Sequence, residues 1–156
     1  MTLVEQTFEK YDWGRLNHLQ VGRYAEYFVK MEFTLYGFEV YTSEVDDRGI
    51  DFVVRSKSAR FYEIQAKSIR GLNYVFFPKD KFQLRDSLLA ALVIFMPREA
   101  PQLFLIPSLS WKDTDSLLVD RPYVGLKSKP EWGLNLSVRN LQYLEPFHFQ
   151  KIVRTL

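Results

Sequence analysis

From Arg15 to Tyr36 the apolar residues recur every three or four positions. At about 100° per residue, Val21, Gly22, Ala25, Phe28, Val29, Phe33 and Tyr36 share one broad arc, with Gln20, Arg23, Tyr27, Lys30 and Thr34 opposite. That periodicity predicts an amphipathic helix capped by Gly37. Glu26 falls on its seam, whereas Glu32 projects into the apolar arc and requires a bend or a buried polar partner. Period two then takes over. Phe38 to Thr42 alternates as a strand, Asp46-Asp47-Arg48-Gly49 reads as a turn, and Ile50–Arg55 with Arg60–Ile69 reads as a hairpin rich in Val, Ile, Phe and Tyr. Asn73 to Phe77 is a further strand stopped by Pro78, and Asp80 to Leu89 suits a helical turn or two. Leu89 to Met96 is continuously apolar and β-branched at its centre, the signature of a strand buried on both faces. After a turn at Pro97–Pro101 come a strand at Gln102–Ile106 and a short helix or 3₁₀ turn from Pro107 to Trp111. Residues 112–130 read as loop, Trp132 to Ser137 as a late strand, and Asn140 to Leu156 as a helix interrupted at Pro146. The pattern predicts one α/β domain over residues 1–156 with a mixed central sheet. Residues 1–14 carry aromatic anchors at Phe8, Tyr11 and Trp13, suited to a short helix packed on the domain or on a second subunit.

Composition narrows the chemistry. A chain of 156 residues, 47% hydrophobic and 16% aromatic, has enough apolar mass for one core. It contains no Cys, which excludes disulfides, thiolate metal sites and a Cys nucleophile. With His18 and His148 as its only histidines, a His-rich zinc site is ruled out too. The longest apolar run, Leu88 to Met96, is too short to span a bilayer as a helix, and the first ten residues lack the pattern of a signal peptide. A cytoplasmic protein without membrane contact is the expectation. The net charge of +2 conceals a bias. Arg48 to Arg85 holds nine Lys or Arg against Asp51, Glu63 and Asp80, so this stretch is +6 and the remainder −4. A basic segment around a few acids suits a polyanion held near a metal, with Arg48, Arg55, Lys57, Arg60, Arg70, Lys79 and Lys81 as candidate DNA contacts. The same residues would also serve as charges along a solvated sheet edge.

The candidate chemistry lies between Gly22 and Lys67. Period two places Gln65 and Lys67 on one face of their strand, about 7 Å apart. Asp51 opens the preceding strand, and Glu26 arrives from the helix. Together they suit a hard divalent cation, with Asp51, Gln65 and Glu26 as oxygen ligands and Lys67 orienting an attacking water or stabilising charge at a phosphate. The hairpin imposes a condition. A four-residue loop at 57–60 would set Asp51 opposite Ala66, on the wrong face. The site therefore requires a three- or five-residue connection, or a β-bulge near Asp51.

Gly22-Arg-Tyr-Ala-Glu26, Arg48-Gly-Ile-Asp51 and Gln65-Ala-Lys67, in this order and spacing, resemble the PD-(D/E)XK nuclease superfamily in its variant with Gln for the second acid. The gaps look like those of archaeal Holliday-junction resolvases and Mrr-like restriction nucleases, and homing endonucleases of group I introns in the same superfamily share this size. The resemblance covers about residues 15 to 70. It implies an αβββαβ restriction-endonuclease-like core and Mg²⁺-dependent cleavage of double-stranded or branched DNA, with Mn²⁺ as a possible substitute. It also implies a homodimer or higher homo-oligomer. No Pro precedes Asp51, and Gln65 brings no charge. Other readings stay open. In these, Asp51 is a turn cap after Gly49, Gln65 and Lys67 are the polar face of an exposed strand, and Glu26 is a partner of Arg23 or Lys30. Glu63 would replace Gln65 in a shifted register. Tyr74, Phe76, Phe77, Trp111 and Trp132 suit the core, or for one of them base stacking. At the level of function, the alternative to a site-specific homing or restriction endonuclease is an inactive nuclease fold that binds DNA or assembles. A further alternative is a protein-interaction domain such as an immunity factor.

Overall fold

A computed structural model describes residues 9–44 and 48–156. The residues before Glu9, Phe8 among them, and the expected turn residues Asp46 and Asp47 lie outside that range. A 3₁₀ turn at Trp13–Arg15 leads into helix α1 (His18–Leu35). Asn17 caps α1 by accepting from Gln20 N–H, while the Gln20 side chain accepts from Asn17 N–H. Val21, Ala25, Val29 and Phe33 form the buried stripe of α1, and Gly37 follows at φ 86°.

Strands β1 (Glu39–Thr42), β2 (Phe52–Arg55), β3 (Phe61–Arg70), β5 (Leu88–Phe95) and β6 (Gln102–Pro107) form a central sheet in the order β1-β2-β3-β5-β6. Only the β3–β5 pair is parallel, so the sheet is mixed. Strand β4 (Tyr74–Pro78) leaves it for a second antiparallel sheet, ordered β4-β8-β7, with β7 (Leu118–Arg121) and β8 (Glu131–Asn135). The chain closes with short helices α2 (Leu141–Leu144) and α3 (Phe149–Val153) on either side of a 3₁₀ turn that contains Pro146.

All eight residues of β5 are buried, because both faces of the central sheet are covered. Leu89, Ala91, Val93 and Phe95 meet α1 and α3 through Val29, Phe33, Phe149 and Val153. Leu88, Ala90, Leu92 and Ile94 meet the small sheet through Phe77 and Leu134, and the 3₁₀ turn at Ser108–Lys112 through Trp111. The apolar run thus becomes a central strand for the expected reason.

Two expectations are corrected. The crossover from β3 to β5 is made by β4, a turn and extended chain, so the helical turn expected at Asp80–Leu89 does not form. Residues 118–121, expected as loop, pair with β8 from Leu118↔Leu134 to Arg121↔Glu131. Their four-residue span is too short for its alternation to stand out. Glu32, the misfit of the helical pattern, is half-buried beside a cleft between α1, β6 and α3 that Gln102, His148 and Gln150 also line.

Candidate metal and DNA site

The β2–β3 hairpin carries the site, and its loop length decides the register. Arg55 pairs with Phe61 and Phe52 with Ile64, leaving a five-residue connection at residues 56–60. One step further along that register sets Asp51 opposite Gln65. Ser56 N–H bonds Arg60 O at 2.8 Å, which fixes the parity of the ladder and assigns the Ile64 carbonyl to Phe52. Asp51 N–H nonetheless donates to that Ile64 carbonyl at 2.9 Å. The ladder therefore breaks at Asp51 in the manner of a bulge. Its carboxylate takes over the next rung, where Ala66 N–H donates to Asp51 Oδ2 at 2.7 Å. The acid is pinned to the backbone between Gln65 and Lys67.

Gln65 and Lys67 share the other face of β3 from Ala66, the face that meets the small sheet. Gln65 is buried, and its Oε1 has no hydrogen-bond partner among the described residues. Gly49, at φ 78°, brings bare backbone close to it. A Cβ there would lie 3.7 Å from Gln65 Oε1 and 3.0 Å from Lys81 Cβ, so the left-handed conformation favours glycine and a side chain would press on Lys81. Lys67 Nζ lies 5.6 Å from the Phe77 ring centroid and 6.0 Å from that of Phe76. Burial pulls the Lys67 ammonium below the usual lysine range, and the charge of Asp51 opposes that shift.

On the helix side of β3, Glu26 and Asp51 border one cavity of about 280 Å³, together with His18, Leu19, Gly22, Arg23 and Ala66. Glu26 is engaged there: Lys30 Nζ lies 3.0 Å from Oε1 and Arg23 3.7 Å from Oε2. Both Glu26 and Lys30 are mostly buried, so this pair is screened less than a surface pair. His18 and Arg23 join the site only through the fold, since nothing in the local sequence sets their face against Asp51.

The expected DNA contacts separate. Arg48 and Lys81 line a second cavity of about 510 Å³ with Ile50, Glu63, Gln83 and Arg85. Glu63 is held there by Arg85, whose Nε donates to it at 2.7 Å. Arg55 sits 3.5 Å from Glu39. Lys57 belongs to the hairpin loop and folds over Gly37, while Arg60 lies 5.3 Å from the Tyr62 ring. Arg70 donates to the carbonyls of Trp13 and Leu16 at 3.1 and 2.7 Å. Lys79 pairs with Asp120 and lies 3.9 Å from the Trp132 ring.

The donors suit a hard cation. Asp51 and Gln65 offer oxygen only, and a buried carbonyl oxygen with no hydrogen-bond donor is the atom a metal would satisfy. Among the described residues no three Asp, Glu or His side chains converge, so any ion held here would rely on Gln65, solvent and substrate for the rest of its shell.

The mixed sheet, with α1 against one face and a bulged hairpin carrying the acid, is a restriction-endonuclease-like α/β core. Among solved structures, the chain is similar to the Holliday junction resolvase Hjc of the archaeal hyperthermophile Archaeoglobus fulgidus. The TM-score is 0.53 and the identity 14%, over 85% of this chain and 95% of that one. At that identity the likeness carries the fold alone. No protein-family model matches the chain, and no curated protein matches it either.

Proposed function

We propose that the chain is a metal-dependent DNA endonuclease that hydrolyses phosphodiester bonds at Asp51, Gln65 and Lys67. The observation that carries this reading is the break in the hairpin ladder. It fastens the Asp51 carboxylate to the N–H of Ala66, the residue flanked in the chain by Gln65, whose buried oxygen has no donor among the described residues, and by the desolvated Lys67. Asp51 and Gln65 would hold Mg²⁺ or Mn²⁺, with Glu26 reaching it directly or through water once released from Lys30. When bound, such an ion supplies an activated water and neutralises phosphate charge. Lys67 places its ammonium against the scissile phosphate. Arg23, on the helix side, and Arg48 and Lys81, beyond Gly49, lie where flanking phosphates would pass.

The protein similar in fold is named for its action on Holliday junctions. Branched DNA is therefore the first substrate to test, ahead of the continuous duplex of a homing or restriction enzyme, and a homodimer is the assembly that would suit a symmetric junction. Incubation of four-way junctions, linear duplex and supercoiled plasmid with Mg²⁺ or Mn²⁺ tests the reading. Cleavage is expected from the wild type and is lost, by about a hundredfold or more, in Asp51→Ala and Lys67→Ala. Equal inactivity of wild type and variants on every DNA, with binding retained, would establish the second reading, an inert DNA-binding module. The engagement of Glu26 by Lys30 and Arg23 favours that second reading.

A further inference from the structure

The outer face of β4 runs away from Lys67 as a row of rings and cations that the proposed chemistry does not use. Val75 and Phe77 point inward, whereas Tyr74 and Phe76 point out. Phe76 is 47% exposed, unusual for a phenylalanine in the middle of a strand. Its ring and that of Tyr74 are nearly parallel, 17° apart with centroids at 6.2 Å. Lys67 Nζ lies 6.0 Å from Phe76 at one end of the row, and the Arg121 guanidinium lies 4.2 Å from Tyr74 at the other. The Tyr74 hydroxyl donates to Glu131, and burial together with that carboxylate pushes its pKa well up, so it remains a donor. Opposite Phe76 in the ladder stands Gly133, which leaves the neighbouring strand bare on this face. The Tyr74 ring occupies that space: a Cβ on Gly133 would lie 2.2 Å from its hydroxyl oxygen.

A flat exposed ring flanked by cations, beginning at the lysine assigned to the phosphate, matches how single strands are bound: bases stack on aromatic faces while cations follow the backbone. Within a continuous duplex, each base face is covered by its neighbours. Only an unpaired or splayed nucleotide has a face to offer.

We propose that Phe76, with Tyr74 and Arg121 behind it, is a stacking platform for an unpaired nucleotide adjoining the phosphate at Lys67. The substrate of this site is then DNA with single-stranded or splayed character. The role given to Lys67 rests on the nuclease reading above; the stacking itself does not.

The test uses two duplexes of one sequence, one continuous and one with a short gap that exposes 2-aminopurine. Affinity and fluorescence are measured in EDTA, so that cleavage plays no part. The wild type is expected to bind the gapped duplex about tenfold more tightly and to quench the probe. Phe76→Leu, which keeps apolar bulk without a π face, loses both effects while binding the continuous duplex as before. Phe76→Trp retains them. Equal affinity of the wild type for the two duplexes, or a preference that survives in Phe76→Leu, overturns the platform. Cleavage assays with Mg²⁺ run in parallel on these duplexes and on a four-way junction. A preference without cleavage refutes the nuclease reading and leaves the platform standing, and cleavage without a preference does the reverse.

Discussion

Gln65 carries a cost that its fold does not need. A buried carbonyl oxygen without a donor destabilises the folded chain by about 1–3 kcal/mol relative to a satisfied one. Methionine has similar length and no such oxygen, so without metal Gln65→Met is expected to leave stability unchanged or raise it by about 1 kcal/mol. If the proposed site holds Mn²⁺ or Mg²⁺, the ion should stabilise the wild type and the same variant should abolish that stabilisation. Urea unfolding with and without the ion reads both effects, and a loss of more than 1 kcal/mol in the metal-free variant would show that Gln65 serves packing instead. Gly22 presents a related trade. It lies inside α1 on the wall of the Glu26–Asp51 cavity, and a Cβ there meets nothing within 4 Å. Glycine in an exposed helix interior costs about 1 kcal/mol relative to alanine, a cost that protein packing at this position does not explain. Gly22→Ala should therefore raise the unfolding free energy by about 1 kcal/mol. It should weaken DNA binding if a strand approaches α1 here, which thermal melting and a binding titration on the same variant would separate.

At the scale of elements, β4 and β8 depend on one bare position. Gly133→Ala would drive a methyl group into the Tyr74 ring, which must swing out and release Glu131 and Arg121. A loss of about 1–3 kcal/mol is expected, together with a change in tyrosine fluorescence; an unchanged melting curve would mean that the ring moves freely. This contact was not legible in the sequence, because the strands that make it are 57 residues apart along the chain at Tyr74 and Glu131. Features encoded locally were legible. The stripe of α1, the β2–β3 hairpin and the doubly buried β5 follow from periodicity within a few turns or pleats. The odd loop length followed from asking Asp51 to face Gln65; the connection at 56–60 does have five residues, but the bulge at Asp51 turns its carboxylate onto Ala66 N–H and toward the helix-side cavity. Non-local packing hid the rest. Nothing near Asp80 announces that β4 would leave the central sheet and displace a crossover helix, and Leu118-Val-Asp-Arg becomes a strand only because β8 offers it an edge. His18, Arg23 and Arg85 border the candidate site for the same reason: α1 and the segment before β5 are brought to it by tertiary contacts.

For the whole molecule, the +6 segment suggested cations gathered on a polyanion held near a metal, and the fold divides them. Arg70 is spent on the Trp13 and Leu16 carbonyls, and Lys79 on Asp120 and Trp132. The hairpin tip with Lys57 and Arg60 stands a strand's length beyond Asp51, roughly 13 Å away. Arg23, Arg48, Lys67 and Lys81 are arranged around the site, together with Lys30 and Arg85, which Glu26 and Glu63 engage. Each phosphate neutralised by a protein cation contributes about −0.9 to the slope of log affinity against log salt for a duplex. If DNA follows the path from α1 past Gly49, Arg48→Ala and Lys81→Ala should each reduce the magnitude of that slope by about one and weaken binding similarly for every sequence. Arg70→Ala should leave the slope unchanged and lower stability by about 1 kcal/mol, because it removes the side-chain donor to the Leu16 carbonyl and leaves that of Trp13 with Leu16 N–H alone. Binding titrations from low to moderate KCl, paired with urea unfolding, distinguish the two groups. A slope change in Arg70→Ala as large as that in Arg48→Ala would place the DNA across the Trp13 end of β3 and β5 instead, and the path proposed here would be wrong.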